Sequence, residues 1–198
     1  MQRKTMRNKR IWALYNDNSG SSEWVLGLFA LTFIMAAMVF VIQLCAFRAN
    51  SDAIEDALAA SGLAAALVDV ERYGIDHTLL ISDPDNSYRK YVEALNVNLA
   101  AEGSSFRQKR AIEGPVRIEQ FRIYNVEGDK VSEIYMNDSG NWEVTEGLLG
   151  SMEAPNGQII QNTGVYGEIA FDLRGIMGLV FSTKKSKLVD VKSYIDWV

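Results

Sequence analysis

One cysteine and one histidine in 198 residues leave little of the side-chain chemistry that a sequence usually announces. Cys45 by itself forms no disulfide within the chain. His77 would need three carboxylates beside it to hold zinc, an uncommon ligand set. It is also the only imidazole on which a Ser/His/Asp triad could draw, and no Gly-x-Ser-x-Gly elbow presents a serine. The glycines form no Gly-x-Gly-x-x-Gly or P-loop pattern. Asp83, Asp85, Asp129, Asn137 and Asp138 sit at a helix start or in turns, where Asx residues belong, and none lies in a twelve-residue calcium loop. No spacing nominates a carboxylate pair for glycoside hydrolysis. The expectation is a chain without catalysis, cofactor or metal.

Positive charge is also scarce over most of the chain. From Arg48 onward fifteen Lys and Arg face twenty-three Asp and Glu, which offers no basic surface to nucleic acid. The first 22 residues reverse the balance, with Arg3, Lys4, Arg7, Lys9 and Arg10 against Asp17 alone. Between the two lies the longest absence. Residues 24–47, which begin at Trp24 and end at Phe47, carry no charge and a single amide, Gln43.

As a helix this run extends roughly 36 Å at ~1.5 Å per residue, and a hydrocarbon core is about 30 Å thick. A helix apolar on every side and of that length is more than a domain of this size can bury. The run is therefore read as a membrane span. The five basic residues ahead of it favour the cytoplasmic side and leave the C-terminal part outside. At the far end Arg48 can lift its guanidinium to the headgroups while its stem stays apolar. Length argues against a cleaved secretory signal, whose apolar core is only about 7–15 residues. Ile42, Gln43 and Leu44 lack the small residues that a lipoprotein site would place before Cys45.

The span opens on Gly20-Ser21-Ser22-Glu23. On helix physics alone, Ser21 or Ser22 caps the helix and Glu23 complements its macrodipole. A carboxylate drawn to the bilayer centre costs roughly 2.5–3.5 kcal/mol, and less at the edge. One kept at the boundary is suited to pairing with a positive group on a neighbour. A basic leader, a glycine, small polar residues, a glutamate and a long apolar helix together resemble the class III signal of type IV pilins and pseudopilins. The nearer likeness is to the TadE-like proteins of tight-adherence (Flp) pili, with Gly20, Ser21 and Glu23 at the matching positions. The resemblance spans about residues 1–50. It implies a protein of the bacterial cytoplasmic membrane, cut by a prepilin peptidase between Gly20 and Ser21. It also implies that Glu23 neutralises the new N-terminus of a neighbouring subunit during assembly. Glu23 stands third after that cut, where the family's glutamate is usually fifth.

Past Arg48 the Ala- and Leu-rich sequence predicts that the helix continues to Tyr73, with Gly62 tolerated and Gly74 as the C-cap. Ala57, Ala60, Ser61 and Ala64 form a small-residue stripe that suits packing on the chain's own domain. Asp83 and Pro84 open a second helix, with Tyr88, Tyr91, Val92, Leu95 and Leu99 on its buried face. Residues 101–114, including Arg107, Lys109 and Arg110, read as a solvated loop. Strands are predicted over 116–126, with a bulge near Gln120, and over 131–136, 142–145, 165–173 and 187–195. Residues 174–185 read as a short helix or apolar loop, and Ile176 to Phe181 as core.

The expected fold class is α+β: a long N-terminal transmembrane helix continuing into an amphipathic helix, then a small antiparallel-sheet head with a second helix. The expected divisions are a basic cytoplasmic leader at 1–20, the span at 21–48, the helical continuation at 49–74 and an extracytoplasmic head at 75–198. The expected function is that of a minor pilin or pseudopilin-like structural component, assembling with other pilin-like subunits and with pilus or secretion proteins. The alternative is a single-pass anchored binding or sensor module.

Overall fold

The computed structural model describes residues 19–100, 112–137, 139–174 and 178–192. Among them lie three helices, α1 Ser19–Ala65, α2 Val70–Asp76 and α3 Pro84–Ala100, and then five strands. The strands are β1 Ile112–Glu127, β2 Lys130–Met136, β3 Trp142–Leu148, β4 Gly164–Arg174 and β5 Val180–Asp190. All neighbours are antiparallel, in one open sheet of order β3-β2-β1-β4-β5. A mixture of helix and antiparallel sheet is what the sequence predicts. Contacts divide the chain after Cys45, so the C-terminal unit Ala46–Val198 takes the last part of α1 together with everything that follows.

Turn chemistry sets the register of the sheet. Glu127 pairs with Lys130 across a two-residue turn, in which Gly128 adopts φ 61°. That left-handed position is what a tight hairpin requires. The pairing of β1 with β4 shifts between Ile118 and Gln120, leaving Glu119 as the extra residue of a bulge. Its place agrees with the predicted phase change.

The period of two along each strand gives the sheet two different faces. On one, Phe121, Ile123, Val165, Ile169 and Phe171 form a core with Ile54 and Leu58 of α1 and Tyr91 and Leu95 of α3. On the other, Tyr124, Val131 and Tyr166 are covered by Ala154 and Ile160, from the segment between β3 and β4. Helix α3 begins as expected, with the Asn86 amide donating to Asp83 Oδ1 at 3.0 Å. Its buried stripe is Ser87, Tyr91, Leu95 and Leu99, each a further turn along. Burying such large apolar side chains stabilises by about 1.5–3 kcal/mol apiece. An aromatic group joins α3 to the sheet: Phe121 lies 5.2 Å from Tyr88, 5.1 Å from Tyr91 and 6.3 Å from Trp142, centroid to centroid. Trp142 Nε1 also donates to Asp85 Oδ1 at 2.9 Å.

Three boundaries differ from the sequence expectation. The helix predicted to reach Tyr73 stops at Ala65, in a stretch with no local breaker. There Ser87 Oγ, from the first turn of α3, donates to the Ala65 carbonyl at 2.5 Å, and the Asp69 amide donates to Leu80 O at 2.8 Å. These tertiary partners take up backbone groups that a continuing helix would have used itself. Asp69 then caps α2 by accepting from the Arg72 amide at 3.1 Å. Gly74 lies inside α2 rather than at its end, and the C-cap is His77 at φ 58°.

The second difference is at the last strand, predicted over 187–195. Strand β5 instead begins at Val180 and ends at Asp190, paired with β4 along its whole length. Of residues 174–185, read as helix or loop, Arg174 ends β4 and Val180 to Lys185 belong to β5, while residues 175–177 and Ser193 to Ile195 lie outside the described residues. The third is at β1, whose strand starts at Ile112 inside the predicted loop, and β3 runs three residues past Thr145. Arg107, Lys109 and Arg110 also fall outside the described residues.

Candidate functional site

The residues singled out from the sequence for processing and assembly lie near the start of α1. Gly20 and Ser21 are its second and third residues, and the helix already includes Ser22. Ser21 and Ser22 are therefore not caps, because their backbone is helical, and Glu23 falls past the first turn, which holds no acidic residue. Most of the expected leader, residues 1–18, lies outside the described part. Glu23 is exposed, and no described side chain pairs with it.

From Trp24 the helix presents apolar side chains on every side. Trp24 is 83% exposed and Phe33 75%, and Phe47, at the end of the run, is 39% exposed. The segment Glu23–Ala65 has a most apolar window of mean hydropathy 2.8, none of it buried in the protein. It is one helix long and apolar enough to cross a membrane. Thr32, one of its few polar side chains, donates to the Leu28 carbonyl at 2.8 Å within the helix. A hydroxyl satisfied this way asks nothing of its surroundings, as a lipid-facing helix requires.

Within the C-terminal unit, the small-residue stripe serves the unit's own packing. Ala57, Ser61 and Ala65 are buried at intervals of four, and Ala60 is exposed. Ser61 Oγ donates back to Ala57 O at 2.6 Å. Gly62 takes the closest approach: a Cβ there would stand 2.6 Å from Val189 Cγ2 on β5. Seven residues earlier, Glu55 accepts from Lys187 Nζ at 2.7 Å and lies 3.8 Å from Lys185 Nζ. The Lys187 hydrogen bond and charge, joined by Lys185, hold the Glu55 carboxyl below its usual range.

A recess of about 240 Å³ opens at the β1 bulge, lined by Tyr88, Glu119, Gln120, Arg122, Tyr135 and Asn137 among others. Strand β2 pairs with β1 only as far as Arg122, opposite Tyr135, so the bulge lies just beyond the paired stretch. The Arg122 guanidinium is already committed. It donates to Glu133 at 2.6 Å and to Gln120 at 3.2 Å, and sits 5.5 Å from the Tyr135 ring centroid. Tyr124 also donates to Glu133, at 2.9 Å, and burial followed by that carboxylate pushes its phenol up. Partnered in this way, the group orders the far face of the sheet and presents no nucleophile paired with a base. Sequence reasoning placed the bulge but not the recess, because the residues that line it come together only across β1, β2 and α3.

Two polar side chains whose roles had no sequence signal hold the segment before α3. Asn125 accepts from the Ile81 amide at 2.8 Å and donates to the Ile81 carbonyl at 3.0 Å. Thr163 donates to Leu79 O at 2.6 Å and accepts from the Val126 amide at 2.9 Å. Among the described residues no group of three or more His, Cys, Asp or Glu is placed to hold a metal ion.

The apolar stretch read as core is not core where it is described. Leu179, Val180 and Phe181 are 59%, 47% and 50% exposed. They lie at the tip of the β4–β5 hairpin, beyond Leu173, the last buried residue of β4. Comparison with protein-family models, with curated proteins and with solved structures found no match.

Proposed function

We propose that this chain is a single-pass membrane protein that works by assembly rather than catalysis, as a pilin-like structural subunit of the TadE-like kind. Its α1 crosses the bacterial cytoplasmic membrane with the basic leader inside and the C-terminal unit outside. Glu23 at the membrane boundary meets a positive group on a neighbouring subunit or on an assembly protein. One observation carries the reading: an exposed, uncharged helical run that opens on an exposed carboxylate. A lone span needs no such acid, and a buried helix would not be exposed all round.

The test is Glu23→Ala in cells, with membrane integration and subunit assembly measured together, and the mass of the mature N-terminus determined. The expected result is a terminus at Ser21, unchanged integration and loss of the assembled form. An uncut chain with a silent Glu23→Ala overturns the pilin-like reading. That result would favour an anchored extracytoplasmic binding module, for which the recess at the β1 bulge is the supporting observation.

A further inference from the structure

We infer that the open edge of β1 takes up a short extended peptide, one of whose side chains fills the recess at the bulge. The inference does not depend on how α1 is read, since every residue it uses lies in the C-terminal unit. Strand β4 pairs with β1 from Ile112 to Tyr124, but β2 pairs with it only from Arg122 to Glu127. Among the described residues, the edge from Ile112 to Gln120 therefore has no strand beside it on that side. It is roughly 30 Å long at ~3.4 Å per residue. Backbone amides and carbonyls along a strand turn alternately to one neighbour and to the other. Those turned away from β4 form a ladder on which another strand can be added. Asn137 is what stops β2 short. Its amide donates to Asn141 O at 2.8 Å, and its side-chain oxygen accepts from the amides of Ser139 and Asn141 at 3.0 and 2.9 Å. The chain turns there into β3 instead of following β1 any further.

The recess lies where the open edge begins, and its chemistry selects the occupant. Ile118, Phe121 and Met136 give it apolar walls, and Tyr88, Gln120 and Tyr135 give it neutral polar ones. Its charged members are already matched: Glu119 accepts from Lys184 Nζ at 3.1 Å, and Arg122 donates to Glu133 at 2.6 Å. An ionised side chain entering it would lose water and find the charges around it paired, so the site favours an uncharged one. The volume of about 240 Å³ falls below the roughly 300–1,000 Å³ of small-molecule pockets and suits a single large side chain. Backbone pairing gives such an added strand its affinity, and a side-chain pocket gives it specificity. A second copy of β1 matches the edge poorly. Its own Pro115 lacks a donor, and its own bulge at Glu119 interrupts the ladder. The same two features of this β1 keep the paired stretch short. The occupant is thus a short extended segment of another protein, with a large uncharged side chain at the recess.

The edge is tested on the full chain in detergent micelles, with a phage-displayed library of random heptapeptides as the probe. Recovered sequences are made as labelled peptides, and their affinities are read by fluorescence anisotropy. The expected sequences share one large uncharged side chain, such as Leu, Met, Phe or Tyr. N-methylation of alternate peptide amides should weaken binding about tenfold or more in one phase and little in the other, since only one set faces β1. Met136→Trp, which fills the recess, should weaken binding to a similar degree and leave the thermal unfolding of the sheet unmoved. Recovery of no peptide overturns the inference. So does binding indifferent to the phase of N-methylation or, in a folded variant, to Met136→Trp. The N-methyl series uses the unaltered protein, so it decides even where the variant does not fold. Amide exchange in the peptide-free protein is the remaining check. Among residues 116–120, the amides turned away from β4 should exchange far faster than those of Ile123 and Val165, which lie between paired strands. Uniform protection overturns the inference as well, and its dependence on protein concentration separates a second copy from another part of the same chain.

Discussion

Along α1, residues 24–47 and residues 54–65 present opposite surfaces. The first stretch has apolar side chains on every side, and its large ones are exposed from Trp24 to Phe47. The second has one narrow buried stripe, Ile54, Ala57, Leu58, Ser61 and Ala65, with Leu63 exposed between them. Water tolerates the second arrangement and not the first, because only the second removes its apolar area from solvent. Backbone conformation is the same in both. What differs is what each stretch packs against: the second lies on a sheet, and the apolar window of the first has none of its residues buried in the protein.

The largest effect that would sharpen this comparison is expected at Gly167. A Cβ there would overlap Tyr91 Oη, at the end of a rigid and fully buried side chain. Gly167→Val should destabilise the C-terminal unit by about 3 kcal/mol, the upper range for overpacking, read from thermal unfolding of the sheet signal in detergent. Membrane integration should be unchanged. Among the described residues the same hydroxyl finds no hydrogen-bond partner, and burial holds its phenol well above the ordinary tyrosine range. Removing it by Tyr91→Phe should therefore cost nothing or stabilise, and should recover part of the Gly167→Val loss. A large loss in Tyr91→Phe alone would show that the hydroxyl is satisfied after all.

The reverse experiment disturbs only the first stretch. Phe33→Arg places a charge near the middle of the run, at a cost of roughly 2.5–3.5 kcal/mol if that run lies in lipid. Membrane integration measured by alkaline extraction should fall, and the unfolding temperature of the sheet should not move. Integration that is indifferent to Phe33→Arg would break the comparison, since it would mean that the run is not in lipid.

The smallest effect is at the Glu55 pair with Lys187 and Lys185. The carboxyl is held below its usual value near 4.5 in the folded state, first by the Lys187 hydrogen bond. A depressed folded value means that the contribution is present above the unfolded carboxylate range and is lost as pH falls through the folded value. All three side chains are about a third or more exposed, so the loss in Glu55→Gln at neutral pH should stay below about 1 kcal/mol. Urea titrations of both proteins should converge at acid pH, below the carboxylate range. A gap that persists there would assign the effect to packing rather than charge.

The sequence was most legible where one stretch carries its own reason. The start of α3 is written in Asp83 and Pro84, and the hairpin turn in Gly128-Asp129. The bulge at Glu119 shows as a break in the period of two. The uncharged run shows as composition alone. Each depends on residues within a few positions of one another, so local physics suffices. Gly20, Ser21 and Glu23 were nominated in the same way, from order along the chain alone. The recess at the bulge could not be, because Tyr88, Arg122 and Tyr135 share no local pattern.

By itself the sequence determined that residues 24–47 form one uncharged apolar run, long and apolar enough as a helix to cross a membrane, because that follows from composition and rise per residue alone. Only the tertiary structure decided where that helix ends. Ala64, Ala65, Ala66 and Leu67 favour continuation by propensity. They are overruled by a hydroxyl from Ser87 and a carbonyl from Leu80, each more than ten residues away. The same holds for the apolar residues from Leu179 to Phe181. Their hydrophobicity was visible, but whether they lie in a core or at a tip depends on where β4 and β5 turn, and hydrophobicity alone carries no direction.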